Sequence, residues 1–314
     1  MRRRRVTLLA GGVGGAKMAE GFAALADVEL TVIGNVADDE AFHGLWVSPD
    51  IDTVTYTLAG LINRDQGWGV ADEAGRALEV LKTLGEDTWM FLGDRDFGLH
   101  IHRTARRARG ERPSVIARDV ARAFGVEAEI VLPTDDRVQT KVETDAGWIG
   151  FQDYFVRQQC APEVKALRYD GIEAARPTPE ALAALAGADL IVIAPSNPLV
   201  SIRPILGIPG IAEAVKQAAA PVVAVSPLIA GRVVKGPADR MMAALGHRVD
   251  AVGIAEIYAG LAGSLVIDEA DAALAGGVRA AGPEPVIRPT LMTDLAGKRR
   301  LAGEILALCP EPVA

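Results

Sequence analysis

Cysteine is nearly missing from this chain: Cys160 and Cys309 are the only two in 314 residues, far apart and in no metal-ligand spacing. That excludes a disulfide framework and a thiolate zinc site. It suits a reducing compartment where both stay thiols, so a cytoplasmic location is expected. Neither cysteine has an obvious base beside it, which argues against thiol nucleophilic chemistry. Basic charge is also short, with 33 Lys and Arg against 41 Asp and Glu and a formal net charge of −8. A general nucleic-acid binder would carry a basic face, so no nucleic-acid partner is expected. No uninterrupted apolar run is long enough to span a bilayer, and no membrane association is expected. Arginines 2 to 5 resemble the charged start of a secretion signal. The apolar run after them is broken by Gly11-Gly12 and Gly14-Gly15, with Lys17 and Glu20 close behind, so they read instead as a frayed, solubilising N-terminus. Internal repeats and low-complexity linkers are absent.

Aromatic residues make up only 5% of the chain, while half of it is hydrophobic and built mainly from Ala, Val, Leu, Ile and Gly. Such material suits a parallel sheet covered by helices. The length allows one large domain or two smaller ones. Val6 to Ala10 reads as a short strand, Gly11 to Lys17 as a glycine turn, and Met18 to Leu25 as a helix. Strand, glycine turn and helix together point backbone N–H groups at an anion. The spacing is neither G-x-G-x-x-G nor the P-loop pattern, because Lys17 takes the place of the last glycine and no Ser or Thr follows it. Lys17 can pair with a diphosphate; the plain alternative is a tight turn and nothing more.

The densest chemistry follows the second strand, Glu29 to Asn35. Asp38, Asp39, His43, Asp50 and Asp52 arrive within a few residues of one another, beside Asn35. Like charges gathered this closely need either full solvation or a cation. An oxygen-only ligand set favours magnesium, manganese or calcium over zinc, and the loop is read as holding magnesium against phosphate oxygens. Two solvated acidic turns are the competing reading. Pro49 introduces a helix through Leu61, so one aspartate of Asp50 and Asp52 is accounted for by capping alone.

Residues 72 to 124 look mostly helical, with Asp72-Glu73 opening one helix that ends at Gly85. A short strand from Trp89 to Leu92 is expected to lead into Gly93-Asp94-Arg95-Asp96, read as a pocket rim. Arg103, Arg106 and Arg107 share a helix face, and such a run usually faces solvent. Ala128 to Leu132, Val138 to Thr144 and Trp148 to Val156 read as strands. Asp189 to Ala194 and Pro221 to Ser226 are further strands, each closed by a polar loop. Loops at the carboxyl ends of parallel strands are where open α/β sheets bind ligands. Ser196, Asn197, Ser201 and Ser226 are therefore candidates to hydrogen-bond a base or phosphate, though such residues are also common turn formers.

Taken in order, Gly-Gly-Val-Gly-Gly-Ala-Lys, Asn-x-x-Asp-Asp followed by His-Gly, Pro-Asp-Ile-Asp-Thr, Gly-Asp-Arg-Asp, Ser-Asn-Pro-x-x-Ser-Ile and Val-Lys-Gly-Pro-Ala-Asp resemble the 2-phospho-L-lactate transferase family of deazaflavin coenzyme (coenzyme F-420) biosynthesis. The similarity runs from about Val6 to beyond Gly260. The resemblance implies a Mg2+-dependent transferase. It takes lactyl-diphospho-guanosine or a close analogue, moves the phospho-acid to the terminal ribityl hydroxyl of the deazaflavin Fo, and releases GMP. It implies Asp38, Asp39, Asp50 and Asp52 as the metal-binding carboxylates. Asp38, Asp39, Asp52 and His43 are the catalytic candidates. Gly12, Gly14, Gly15, Lys17 and Asn35 would steady the donor phosphates, and Ser196, Asn197, Ser201, Ser226, Lys235 and Gly236 the guanosine side. Trp68, Asp94, Arg95 and His100 would wall the deazaflavin. A homodimer follows from the family alone.

Two stretches depart from the family pattern: Phe97-Gly98-Leu99-His100, and Gly150-Phe151-Gln152-Asp153-Tyr154. A related family of nucleotide-sugar-binding regulators shares the glycine turn and an Asp-Asp loop, and supplies the non-catalytic alternative. The expected architecture is α/β, Rossmann-like, a mostly parallel sheet with helices on both faces. It is taken as a single domain over 1–314, with an α/β core at 6–66 and 128–310 and a largely helical insertion at about 67–127.

Overall fold

A central sheet of seven strands, most of them buried nearly continuously, organises the molecule. The computed structural model describes residues 2–309; residue 1 and residues 310–314 of the expected domain span lie outside the described residues. In chain order the strands are β1 (Arg4–Ala10), β2 (Val28–Gly34), β3 (Glu40–Phe42), β4 (Leu45–Val47), β5 (Glu129–Val131), β6 (Gln139–Thr144), β7 (Gly147–Gly150), β8 (Ala166–Asp170), β9 (Leu190–Ile193), β10 (Val222–Val225), β11 (Leu228–Ile229), β12 (Arg232–Val233), β13 (Ser264–Ile267) and β14 (Glu284–Ile287). The seven-stranded sheet has the order β14-β13-β10-β9-β1-β2-β5. Every pairing in it is parallel. The remaining strands form small antiparallel sheets, β3 with β4, β11 with β12, and β6 between β7 and β8.

Successive strand residues point to opposite faces, and both faces are covered. Val6, Leu8, Val32, Leu190 and Val192 pack on one side with helices α1 (Gly12–Ala23) and α2 (Pro49–Leu58) and with the helix Leu295–Leu306. Leu9, Ile33, Ile191, Ile193 and Ala224 pack on the other, against the chain from Leu199 to Ile211 and the helices near Met241 and Ile254. Full burial of each such side chain is worth about 1.5–3 kcal/mol. Gly21 lets α1 lie directly on the C-terminal helix, since a Cβ there would sit 2.5 Å from the Lys298 carbonyl oxygen.

Between β4 and β5 the chain forms α3 (Arg76–Thr83), α4 (Asp94–Ala108) and α5 (Pro113–Ala123). The segment from Trp89 to Leu92 joins no sheet; Leu92 is buried with Phe42 and Val47, and the Trp89 ring meets Phe42 edge-on at 5.4 Å. Asp72 and Glu73 precede α3 rather than opening it, and Asp72 takes a left-handed φ of 54°. The strand expected over Trp148 to Val156 stops at Gly150, after which Asp153–Arg157 winds into a π-helical turn. The N-terminal arginines are tied down rather than frayed: Arg2 pairs with Asp189 at 2.7 Å and Arg4, within β1, pairs with Asp27 at 2.8 Å.

Among the described residues no single helix is long and apolar enough to cross a membrane. One bent pair, Pro198–Leu206 with Ile211–Gln217, passes a length and composition test but breaks at 82°. Its apolar residues lie in the core.

Candidate active site

Strands β2 and β5 step outward on one side of β1, and β9, β10, β13 and β14 on the other. The loops after β1 and β9 therefore leave in opposite directions, and a crevice opens between them at the carboxyl edge of the sheet. Glycines bring these loops into contact. A Cβ on Gly14 would fall 2.1 Å from the Pro195 carbonyl oxygen, and one on Gly11 would fall 2.5 Å from Asp50 Oδ2. The Gly11 N–H donates to Ser196 Oγ at 3.2 Å, and that hydroxyl donates back to the Gly11 carbonyl at 2.7 Å. Gly15, packed against Ala10 and Ser196, completes the turn. The first turn of α1 thus turns N–H groups that have no partner within the helix toward the crevice.

Asn35, at the end of β2, joins the acidic residues. Its side-chain amide donates to Asp38 Oδ2 at 3.1 Å, to Asp50 Oδ2 at 2.9 Å and to the Val200 carbonyl at 3.3 Å. Its own carbonyl oxygen accepts the Ala37 N–H at 3.0 Å. Asp38 and Asp50 are thereby held side by side, both buried, and Asp38 Oδ1 has no partner. Burial, and then the neighbouring Asp50 charge, raises the Asp38 carboxyl well above the usual carboxylate range. Burial raises Asp50 as well, against the opposing pull of the Asn35 amide and the Gly12 N–H. A buried carboxylate pair in this condition takes up a proton or a cation.

The residues fit magnesium. That ion binds through one or two carboxylates and completes its shell with water and substrate phosphate, whereas zinc and calcium use fuller protein cages. Among the described residues no group of three or more His, Cys, Asp or Glu converges on one point.

The other acidic candidates have different occupations. Asp39 turns its Oδ2 to the Ser48 hydroxyl at 2.7 Å and the Trp46 indole N–H at 3.1 Å. It faces a small cleft behind the crevice, beside Arg103 and Arg107, and burial pushes its carboxyl up to about 7. Asp52 is spanned by the Arg103 guanidinium, whose Nη1 lies 3.0 Å from Oδ2 and whose Nη2 closes on Oδ1. His43 and Gly44 form the tip of the β3–β4 hairpin, with φ of 51° and 77°. Such a two-residue turn demands positive φ at both positions, which accounts for the His-Gly pair without chemistry. In this structure Asp39 is thus engaged in hydrogen bonds, Asp52, on the cavity wall, in an ion pair, and His43 in a turn.

The crevice opens into a cavity of about 590 Å³. Its lining includes the glycine turn with Lys17, Asp38 and Asp50, the aromatic residues Trp68, Trp89, Phe91, Phe151 and Phe155, and Ser226, Lys235 and Gly236. Burial and the nearby Lys298 and Lys235 lower the Lys17 pKa, so an anion would be welcome there. Ser201 lines the cavity against Gly11. Asn197 and Ser226 also line it while serving local turns. Asn197 Oδ1 accepts from the Leu199 and Val200 N–H groups at 2.9 and 3.3 Å, and Ser226 Oγ accepts from the Leu228 N–H at 3.1 Å. Lys235 Nζ donates to the Gln66 carbonyl, so the 228–237 hairpin touches the loop carrying Trp68.

Asp94 and Arg95 stand apart from the cavity wall. Asp94 accepts from Arg76 Nε at 2.8 Å and from the Ala77 N–H at 3.1 Å, while Arg95 Nη1 donates to the Ala71 carbonyl at 2.9 Å. Asp96 faces inward in their place, accepting from the Tyr56 hydroxyl at 2.7 Å. His100 lies one turn further along α4, and Arg103 Nη1 reaches its Nδ1 at 3.3 Å. Burial pushes His100 down to about 4 and Asp96 up to about 6. Sequence places Asp96 only in the pocket rim at 93–96 and gives no site role to Tyr56 or Arg103. Their signal was available: Asp96, His100 and Arg103 recur at i, i+4 and i+7 on α4, and Asp52 and Tyr56 at i and i+4 on α2.

A family model described as 2-phospho-L-lactate transferase CofD matches residues 6–280. The phosphoenolpyruvate transferase of Streptomyces coelicolor is 41% identical over 314 residues, covering 98% of each chain. The 2-phospho-L-lactate transferase of Methanopyrus kandleri is 39% identical, covering 98% of this chain and 99% of its own. That of Methanocaldococcus jannaschii is 37% identical, covering 97% and 98%. Among solved structures, a Bacillus halodurans protein of the UPF0052 family superposes with a TM-score of 0.63 at 17% identity, covering 98% of this chain and 99% of that one; the likeness is one of fold.

Proposed function

The chain belongs to the 2-phospho-L-lactate transferase family, and on that premise we propose how its cavity carries out the transfer. The enzyme is a CofD-type transferase of coenzyme F-420 biosynthesis, acting with a 2-phospholactate or phosphoenolpyruvate group on Fo. In our reading the donor is the guanosine diphosphate-linked acid. The terminal ribityl hydroxyl oxygen of Fo forms a new bond to the phosphorus bearing the acid, the bridging P–O bond breaks, GMP leaves with the bridging oxygen, and the hydroxyl proton passes to water.

The Asp38–Asn35–Asp50 junction, set against the glycine turn, is the observation that carries this reading. Asp38 and Asp50 are the carboxylates that would hold Mg2+, which supplies positive charge to the donor's phosphate oxygens. Asn35 holds the two carboxylates in register. The N–H groups at the start of α1 and the Lys17 ammonium bind and orient the diphosphate. Ser196, Ser201, Lys235 and Gly236 line the way to the nucleoside, and the aromatic walls exclude water around the acceptor.

Transfer between oxygens at phosphorus depends mainly on alignment and charge neutralisation and asks little of a base. No separate base is assigned here, because Asp39, Asp52 and His43 are otherwise engaged. We further propose that the α3–α5 segment belongs to the same folding unit as the sheet, and that the enzyme is a homodimer, to be checked by light scattering.

Incubation with Fo, a guanosine-diphospho-acid and Mg2+ is expected to release GMP in step with the phosphodiester that joins Fo to the acid. Offering the lactyl and enolpyruvyl donors in competition identifies the acid. Failure to release GMP from either, with Fo and metal present, would overturn the reading.

A further inference from the structure

Lys17 reaches the crevice from the second turn of α1, and Glu20 is the only carboxylate on that helix. Residues three apart on a helix are neighbours, so Glu20 is placed to pair with Lys17 and cancel its charge. Other cations take both Glu20 oxygens instead. Arg64 Nη2 donates to Oε1 at 2.9 Å, while Oε2 accepts from Lys298 Nζ at 2.5 Å and from Arg64 Nη1 at 3.5 Å. Among the described residues Lys17 itself makes no ion pair. Burial and the Lys298 and Lys235 charges, all lowering its pKa, outweigh Glu20, which raises it. Arg64 is carried by a loop bonded within itself. The Asn63 N–H donates to the Gly69 carbonyl at 2.9 Å and the Gly67 N–H to the Asn63 carbonyl at 2.7 Å; Asn63 Oδ1 accepts from the Asp65 and Gln66 N–H groups at 3.1 and 3.2 Å. The loop rests on the first turn of α1, where a Cβ on Gly67 would lie 3.0 Å from Val13 Cγ1, and on Lys235, whose Nζ donates to the Gln66 carbonyl. A loop closed on itself and held elsewhere by a few surface contacts shifts as one piece.

We propose that Arg64 and Lys298 are positioning residues that hold Glu20 off Lys17, so that the Lys17 ammonium is free for the donor's diphosphate only while the 63–69 loop is seated on α1. This rests on the reading of the crevice as the diphosphate site. The two cations play different parts. Lys298 is only 7% exposed and keeps Oε2 whatever the loop does, whereas Arg64 is 59% exposed and moves with the loop. When the loop lifts, Arg64 leaves with it and Oε1 is freed. That oxygen then turns to Lys17, one helical turn away, and an anion in the crevice loses its counter-charge. Seating the loop reverses the exchange. A bound diphosphate therefore favours the seated loop by the same factor that the seated loop favours binding.

The test measures GDP binding by titration calorimetry, with GDP standing in for the donor's diphosphate, for wild type, Arg64→Met, Glu20→Gln, the Arg64→Met/Glu20→Gln double variant and Lys17→Met. Arg64→Met is expected to bind GDP roughly 5- to 20-fold more weakly, because Oε1 now pairs with Lys17. An exposed ion-pair partner contributes little to folding, so Tm should barely move in that variant. Glu20→Gln has no charge with which to quench Lys17 and should bind GDP as well as wild type or better. The double variant should match Glu20→Gln within about 3-fold. A loop that had merely lost its latch would stay impaired there, since neither change restores the latch. GDP should also slow amide exchange over 63–69 in wild type, and do so less in Glu20→Gln, where the link between loop and Lys17 is cut. Wild-type GDP affinity in Arg64→Met, a loss that persists in the double variant, or equal slowing of exchange in wild type and Glu20→Gln overturns the proposal while leaving the transferase reading intact. Wild-type GDP affinity in Lys17→Met removes the diphosphate assignment of the crevice and the proposal with it.

Discussion

Arg103, in the middle of α4, closes over both carboxylate oxygens of Asp52 in the first turn of α2, with each side chain only 7% exposed. Fifty-one residues separate the two. The pair joins the helix that carries Asp50 and Tyr56 to the helix that carries Asp96 and His100. One ion pair thus fixes the α2 side of the cavity relative to its α4 side.

Breaking that pair from one side should be costly. Arg103→Met leaves Asp52 buried and unpaired, and a loss of about 3–5 kcal/mol is expected in urea unfolding. The double variant Asp52→Leu/Arg103→Met should recover much of that stability. Recovery no greater than in the single variant would show that the pair is not what holds the helices.

Asp38 and Asp50 give a pH dependence of opposite sign to that of ordinary surface carboxylates. Their folded pKa values are raised, so the folded state binds more protons than the unfolded chain between the ordinary carboxylate range and the raised values. Stability without metal should therefore fall as pH rises through that window and stay low above it. Adding Mg2+ should raise Tm at neutral pH and much less at acidic pH, where protons already neutralise the pair. Calorimetry with Mg2+ and with EDTA checks this.

Asp50→Asn should separate stability from turnover. Removing one of two crowded charges is expected to leave Tm equal or higher in EDTA and to abolish the Mg2+-dependent rise. Turnover should drop roughly 100- to 1,000-fold, the usual loss when electrostatic stabilisation of the transition state is removed. A variant that keeps wild-type kcat would remove Asp50 from the metal site.

Gly14→Ala tests the contact between the two loops. Its Cβ would land 2.1 Å from the Pro195 carbonyl oxygen, so the β1 and β9 loops must part. A cost of about 1–3 kcal/mol is expected, as for overpacking generally. A rise in donor KM larger than the change in Fo affinity should accompany it, measured by steady-state kinetics and Fo fluorescence.

His43→Asn should be nearly silent. Asparagine tolerates the positive φ of the hairpin tip, so activity is expected within about 2-fold of wild type. A large loss with an unchanged Tm would restore His43 as a chemical group.

Much of this architecture is legible from short-range signals. The apolar runs at 6–10, 29–35, 189–194 and 221–226 could only be strands buried on both faces, and each ends in a polar loop at the ligand-binding edge of the sheet. The glycine turn after β1 was equally plain, because local backbone geometry demands glycine where another loop approaches so closely. Trp89 to Leu92 misled for a physical reason: four apolar residues fit a strand, yet these pack into a side cluster with Phe42 and never meet a neighbouring ladder. Arg103 misled in the same way, since a row of arginines on one helix face is indistinguishable from a solvated face until a carboxylate from another helix is found opposite.

By itself, then, the sequence determined that strands would stack in parallel, that a glycine turn would face an acidic loop, and that the loop would gather more carboxylates than solvation requires. Which carboxylates face the cavity was decided only by tertiary contacts. Asp38 and Asp50 are turned inward by Asn35, which the Val200 carbonyl steadies from 165 residues away; Asp39 is drawn off by Ser48 and Trp46, and Asp52, still on the cavity wall, is paired with Arg103. A carboxylate's direction depends on the partner that meets it in space, and spacing along a chain carries no record of that partner.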